Sequence, residues 1–251
     1  MNSRGAWLVF LVFAISTSSM AQQKTSPPHW TYTGAEGPEH WGDLDPSFTT
    51  CKTGKEQSPI DIRNPQKASL PRIQFDYQPA PLKIIDNGHS IQVNYSSGST
   101  ITVGDHKYEL KQFHFHHPSE EKINGQPSDM VAHLVHADAE GKLAVVAVLL
   151  KKGQANSAIQ TIWDHLPREK GVETPVEGIT INAADLLPEK LGYYTFAGSL
   201  TTPPCTEGVT WYVLKSSKTL SAQQVDAFAK PYPMNARPTQ PLNGRVVKET
   251  E

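Results

Sequence analysis

The order of apolar and polar residues reads as a chain built mainly of strands. Ser90–Tyr95 alternates polar and apolar side chains, the period of a half-buried strand. Thr100–Val103 runs into Gly104-Asp105, a turn pair, after which His106–His116 alternates again, so these segments predict antiparallel neighbours. Met130–Ala137 and Leu143–Leu150 are nearly continuous apolar runs joined by Asp138-Ala139-Glu140-Gly141, the pattern of strands covered on both faces. Val209–Lys215 predicts one more strand. Helical signals are few: Asn156 can cap a segment through Leu166, and Ser221 with Gln224 forms a capping-box pattern ahead of Val225–Ala229. The expectation is a mainly β (α+β) single domain, a large and mostly antiparallel sheet with a few short peripheral helices.

Length and charge narrow the class without naming it. The 251 residues do not demand a second core, and no solenoid-length repeat or low-complexity tract interrupts them. Lys+Arg number 23 and Asp+Glu 25, a formal charge of −2, so no strong field draws nucleic acid or acidic lipid and neither partner is expected. The first residues read as a leader rather than as fold: Arg4 is a positive start, Ala6–Ile15 a short apolar run, and Ser19-Met20-Ala21 a small-residue cleavage site. A membrane anchor is not expected, because the run is about half of the roughly 20 apolar residues that span a bilayer. The expected division is a signal peptide over 1–21, an exposed arm over 22–28 and the domain over 29–248, with the mature chain periplasmic or secreted. Export also bears on Cys51 and Cys205, the two cysteines of the chain, since a disulfide persists in an oxidising compartment. Pairing is the expectation and two buried thiols the alternative. The loop they would close is more than half the chain, worth roughly 5 kcal/mol by chain entropy.

The chemistry lies in the histidines. In Gln112-Phe113-His114-Phe115-His116, the period of two puts His114 and His116 on one face and the phenylalanines on the other. His133 lies in the middle of the next predicted strand, reached through the hairpin dipeptide Asn124-Gly125, and can complete a triangle. Three imidazoles with no cysteine or further carboxylate match a tetrahedral zinc whose fourth position is left to water. His29, His40, His106, His117, His136 and His165 read as ordinary hydrogen-bonded or exposed side chains. His114-x-His116-x-x-x-Glu120 also has cupin spacing, although Tyr108 and Pro127 stand where that motif expects glycines.

Longer motifs carry a resemblance. Gln112-Phe113-His114-Phe115-His116, Ser119-Glu120, Ala132-His133-Leu134-Val135-His136 and Ser199-Leu200-Thr201-Thr202-Pro203-Pro204 resemble the α-class carbonic anhydrases, in a bacterial, exported form. Pro38-Glu39-His40-Trp41-Gly42, Gln57-Ser58-Pro59-Ile60-Asp61-Ile62, Asn87-Gly88-His89, Val209-Thr210-Trp211 and Leu242-Asn243-Gly244-Arg245 extend it in family order over nearly the whole mature chain. The resemblance implies a central twisted sheet with zinc on His114, His116 and His133. It implies reversible hydration of carbon dioxide to bicarbonate by hydroxide made at the zinc; this family is the type case of a metal lowering the pKa of water. Thr201 would accept the hydroxide's proton in a hydrogen bond, with Glu120 taking the threonine's own. Val135, Val145, Leu200, Thr202, Val209 and Trp211 would form the carbon dioxide pocket. His89 would shuttle the product proton outward, past Tyr32, Asn87, Gln92 and Gln112, which order the intervening water. Sulfonamide and anion inhibitors are implied partners, and a homodimer is left open. A related but silent binding protein is the competing reading, and such proteins often lose a zinc ligand where this chain keeps all three.

Two positions depart from the family pattern. Members usually carry an acidic residue two positions before the third ligand, to receive that ring's free N–H, and this chain has Val131 there. The expectation is that this support is absent, that zinc is held more weakly unless water or a backbone carbonyl substitutes, and that Val131→Glu would tighten it. Glu121 stands where relatives often have histidine, with no assigned effect.

Overall fold

Alternation decides which face each strand offers, and in the computed structural model, which describes residues 28–251, it is realised in one large sheet. Its principal strands are β1 (Gln66–Ala68), β2 (Ala80–Asp86), β3 (Ile91–Asn94), β4 (His106–His116) and β5 (Met130–Ala137). They continue with β6 (Leu143–Lys152), β7 (Thr174–Ile181), β8 (Tyr193–Ser199), β9 (Glu207–Leu214) and β10 (Lys248–Thr250). The spatial order is β7-β2-β3-β4-β5-β6-β9-β8-β10-β1. Most pairings are antiparallel as expected, while β6 with β9 and β10 with β1 are parallel, so the sheet is mixed. The leader, and the arm up to residue 27, lie outside the described residues.

The two faces do different work. On one, Val93, Phe113, Phe115, Leu134, Val146 and Val148 join the main core with α1 (Ser157–Trp163) and α2 (Ala222–Ala229). On the other, Val131, Val145, Ala147, Leu149, Trp211 and Val213 form a second apolar cluster. Burial on both sides is why β5 and β6 read as unbroken apolar runs. Asn156 caps α1 through Oδ1, which accepts from the Ile159 N–H at 3.0 Å, and the capping box of Ser221 and Gln224 opens α2. Gln224 also exchanges hydrogen bonds with the Asn156 main chain, so one side chain ties the two helix starts together. Helix α1 stops at Trp163, short of the expected Leu166, because Pro167 disfavours helical geometry in the residue before it.

One residue breaks the simple period of β4. Val135 pairs with Gln112 but His136 pairs with Leu110, leaving Lys111 as a bulge. Tyr108 and Leu110 therefore turn to the main core, although they share parity with Gln112, His114 and His116. Cys51 and Cys205 are joined as a disulfide across a separation of 154 residues, beside Tyr32, Trp41 and Phe48. Among the described residues no helix is long and apolar enough to cross a membrane.

Candidate metal centre

Cross-strand partners lay the site out as rows across one face of the sheet. Gln92 on β3, His114 on β4, His133 on β5 and Ala147 on β6 make one row. Asn94, Gln112, Val135, Val145 and Trp211 make the row beside it, and His116 with Val131 and Leu149 the row on its other side. Gln92 and Asn94 on β3 and Gln112 on β4 are amides, the β6 and β9 positions are apolar, and the three histidines stand between them. Their ring centroids are 4.8 to 5.5 Å apart, and one nitrogen from each lies within 4.8 Å of the others.

Each ring has one nitrogen engaged and one left over. His114 Nδ1 donates to Gln112 Oε1 at 2.8 Å, and His116 Nδ1 to the Asn235 carbonyl at 2.7 Å. Both acceptors demand an Nδ1–H, which leaves the Nε2 lone pairs facing the site. His133 is the reverse: its Nε2 donates to Glu121 Oε1 at 2.9 Å and leaves Nδ1. Burial pulls His114 down to about 3 and His116 well below the usual imidazole range, so both rings are neutral. Burial acts the same way on His133, but the carboxylates of Glu121 and Glu120 prevail and hold it above its ordinary value. His116 Nε2 is fully buried with no hydrogen-bond partner among the described residues. An orphaned acceptor costs roughly 1–3 kcal/mol, and a cation shared by the three left-over nitrogens, displacing any proton on His133 Nδ1, removes that cost. The donor set therefore fits zinc.

The expected loss of a carboxylate partner at the third ring is overturned. Val131 is buried among apolar side chains, but Glu121, also fully buried, reaches the same ring nitrogen from the loop after β4. Expected weak zinc retention loses its basis.

Glu120 is buried beside the rings, its Oε2 3.6 Å from His116 Nε2 and 3.8 Å from His133 Nδ1. Burial, and then the charge of Glu121, push its carboxyl up to about 7 against His133, Thr201 and the Arg237 N–H. Oε1 accepts from that N–H at 2.8 Å, while Oε2 closes no hydrogen bond of good geometry, the buried Thr201 hydroxyl lying close enough only to bias its charge. The Arg237 guanidinium donates to Gln57 Oε1, the Ser58 carbonyl and the Cys51 carbonyl, and lies over the Trp41 ring at 5.6 Å. Asn235 and Arg237 escape sequence reasoning because what they give His116 and Glu120 are main-chain atoms, which no side-chain motif encodes.

The remaining expected residues divide between the two walls. Val135, Val145, Leu200, Val209 and Trp211 fall in one apolar cluster, and the Trp211 ring lies 4.9 Å from that of His133. Trp211 Nε1 donates to the Ser199 carbonyl at 3.0 Å, which fixes the loop carrying Leu200, Thr201 and Thr202. Gln92 and Gln112 stand on the amide wall with Asn87 near its end, and Tyr32 is buried with its hydroxyl unpartnered among the described residues. His89 stacks on Trp30, ring centroids 3.6 Å apart and planes within 8°, beside a cavity of about 210 Å³ also lined by His29, Tyr32 and Lys170. Burial, then the neighbouring His29 and Lys170, hold it below the usual imidazole range.

Known proteins share this sequence and fold. The family model for eukaryotic-type carbonic anhydrases matches residues 36–251. A carbonic anhydrase of Neisseria gonorrhoeae is 43% identical over 247 residues, covering 96% of each chain. A hyperthermostable carbonic anhydrase from a hydrothermal vent chimney superposes with a TM-score of 0.86 at 47% identity, over 89% of this chain and 100% of that one. The α-carbonic anhydrase of Thermovibrio ammonificans, solved with sulfanilamide, gives 0.85 at 41% identity, over 90% and 100%. With similarity of this extent and a three-histidine cluster of the right chemistry, the chain belongs to the eukaryotic-type, or α-class, carbonic anhydrase family.

Proposed function

We propose that this chain hydrates carbon dioxide reversibly to bicarbonate with zinc held by His114, His116 and His133. The observation that carries the reading is the set of three convergent ring nitrogens left over once Gln112, Asn235 and Glu121 have taken the others. When bound, zinc supplies Lewis acidity that makes hydroxide available from water at neutral pH.

The protein's part is orientation and exclusion. Carbon dioxide has no net dipole, so it is held by the apolar wall of Val135, Val145, Leu200, Val209 and Trp211, with Thr202 at the margin. Attack needs the hydroxide's lone pair, not its proton, aimed at carbon. Thr201 supplies the acceptor for that proton, and an ionised Glu120 can only accept, so it turns the threonine's own O–H away. The Arg237 N–H fixes Glu120 for this role. The proton released leaves through water ordered by Tyr32, Asn87, Gln92 and Gln112 to His89, whose imidazole, held below its ordinary range, passes the proton on readily to buffer. The disulfide supports an oxidising location, periplasmic or secreted. The sulfanilamide complex of the Thermovibrio relative supports inhibition by sulfonamides here.

The test is made on the purified mature chain. One zinc per chain, hydration activity and its loss with a sulfonamide are expected, and His116→Ala should abolish both metal and activity. A chain that takes up no zinc from excess would overturn the reading. His89→Ala should lower turnover on the order of tenfold in weak buffer, with imidazole restoring it; absence of rescue removes the shuttle role alone.

A further inference from the structure

Four side chains outside the metal centre form a directed chain along the amide wall. Asn87 Oδ1 accepts the backbone N–H groups of His89 at 3.0 Å and Ser90 at 2.8 Å. Asn87 Nδ2 donates to Gln92 Oε1 at 3.3 Å, and Gln92 Nε2 to Asn94 Oδ1 at 2.6 Å. Asn94 Nδ2 then donates to the carboxylate of Glu173. An amide can flip, exchanging donor for acceptor, so such a wall has no preferred polarity of its own. This one is locked at both ends. Two backbone N–H groups require an oxygen from Asn87, and an ionised carboxylate, which can only accept, requires the NH₂ of Asn94. Gln92, the amide between them, is left a single orientation that satisfies both ends.

Glu173 is exposed, but the backbone on either side of it is anchored. It precedes β7, whose Thr174 pairs with Ile84 of β2, and the Gly171 N–H donates to the Asp86 carbonyl at 2.7 Å. The chain crosses the histidine row at Gln92, which faces His114, and passes to the next row at Asn94, which faces Gln112 across the β3–β4 ladder.

We infer that Glu173 is a positioning residue for proton export: as the terminal acceptor it sets the donor and acceptor pattern that the amide wall presents to cavity water, as far as the turn that carries His89. The inference rests on the shuttle role proposed for His89. Water relays a proton only along an unbroken order of donors and acceptors, so reversing one amide interrupts the path without touching the metal or the apolar wall.

Three substitutions in the zinc-loaded enzyme separate the outcomes. Glu173→Gln offers an acceptor oxygen that Asn94, still oriented from the Asn87 end, selects by its NH₂, and it should behave as the parent. Glu173→Ala removes it, and Glu173→Lys replaces it with a donor that requires the opposite flip of Asn94. Both should lower kcat in weak buffer about two- to tenfold, the range one such hydrogen bond spans, and leave kcat/KM unchanged because proton export follows product release. Side-chain amide NMR provides the readout independent of turnover: Gln92 and Asn87 signals should shift in Glu173→Ala and Glu173→Lys but not in Glu173→Gln. If only Asn94 responds, or if Glu173→Ala matches the parent in kcat while His89→Ala is impaired, the inference is wrong. If His89→Ala is itself unimpaired, the shuttle reading has failed, and the amide signals still decide whether Glu173 orders the wall.

Discussion

Glu121→Ala is expected to weaken zinc retention about 10- to 100-fold, the usual consequence of removing the partner that orients a ligating histidine. Glu121 Oε1 takes the Nε2–H of His133, which keeps Nδ1 unprotonated and aimed at the other two rings. Without it the buried ring has no acceptor for that proton, and both tautomer and orientation are lost. Glu121→Gln keeps an acceptor oxygen but not the charge, so an intermediate loss is expected. Competition with a chelator measures the order: parent tightest, glutamine next, alanine weakest. Equal affinities for all three would show that the contact does not support the metal. The same geometry reverses the expectation for Val131→Glu. The ring nitrogen is already taken and Val131 is wholly buried, so a second carboxylate there should destabilise the fold and leave zinc no tighter.

Replacing both Cys51 and Cys205 by serine is expected to cost up to roughly 5 kcal/mol of folding stability, the chain-entropy value for so long a loop. That is a large share of the total of about 5–15 kcal/mol typical of a domain. Urea unfolding at fixed zinc loading measures it, and a loss below about 1 kcal/mol would contradict the model. Activity should fall with it even where the variant is folded. The Cys51 carbonyl accepts from Arg237 Nη2, and the Arg237 N–H holds Glu120, so the crosslinked turn stands directly behind the carboxylate.

What was legible beforehand follows from what each residue does with its side chain. The strands His106–His116 and Met130–Ala137 and the capping box at Ser221 are statements of period and local hydrogen bonding, and they appear where the pattern puts them. The pairing of His114 and His116 is legible for the same reason, since His-x-His on a strand must share a face. The Lys111 bulge is not, because an inserted residue changes parity without changing composition. The strands Ala80–Asp86 and Tyr193–Ser199 were missed where proline or glycine interrupts the alternation. Asn235 and Arg237 act on the site through the peptide unit, which every residue possesses. Glu121 was misjudged because a sequence shows which position lacks an acid but not which other acid folds back to replace it.

The alternation of β4 also constrains how the protein matures. A pairing displaced by a single residue would swing Phe113 and Phe115 outward and bury His114 and His116 in the oily layer beneath. Misaligned chains then offer no converging nitrogens, so only the correctly registered sheet gains the free energy of ion capture. Ion capture at the three histidines would thereby act as proofreading, favouring one alignment of the ladder over slipped ones.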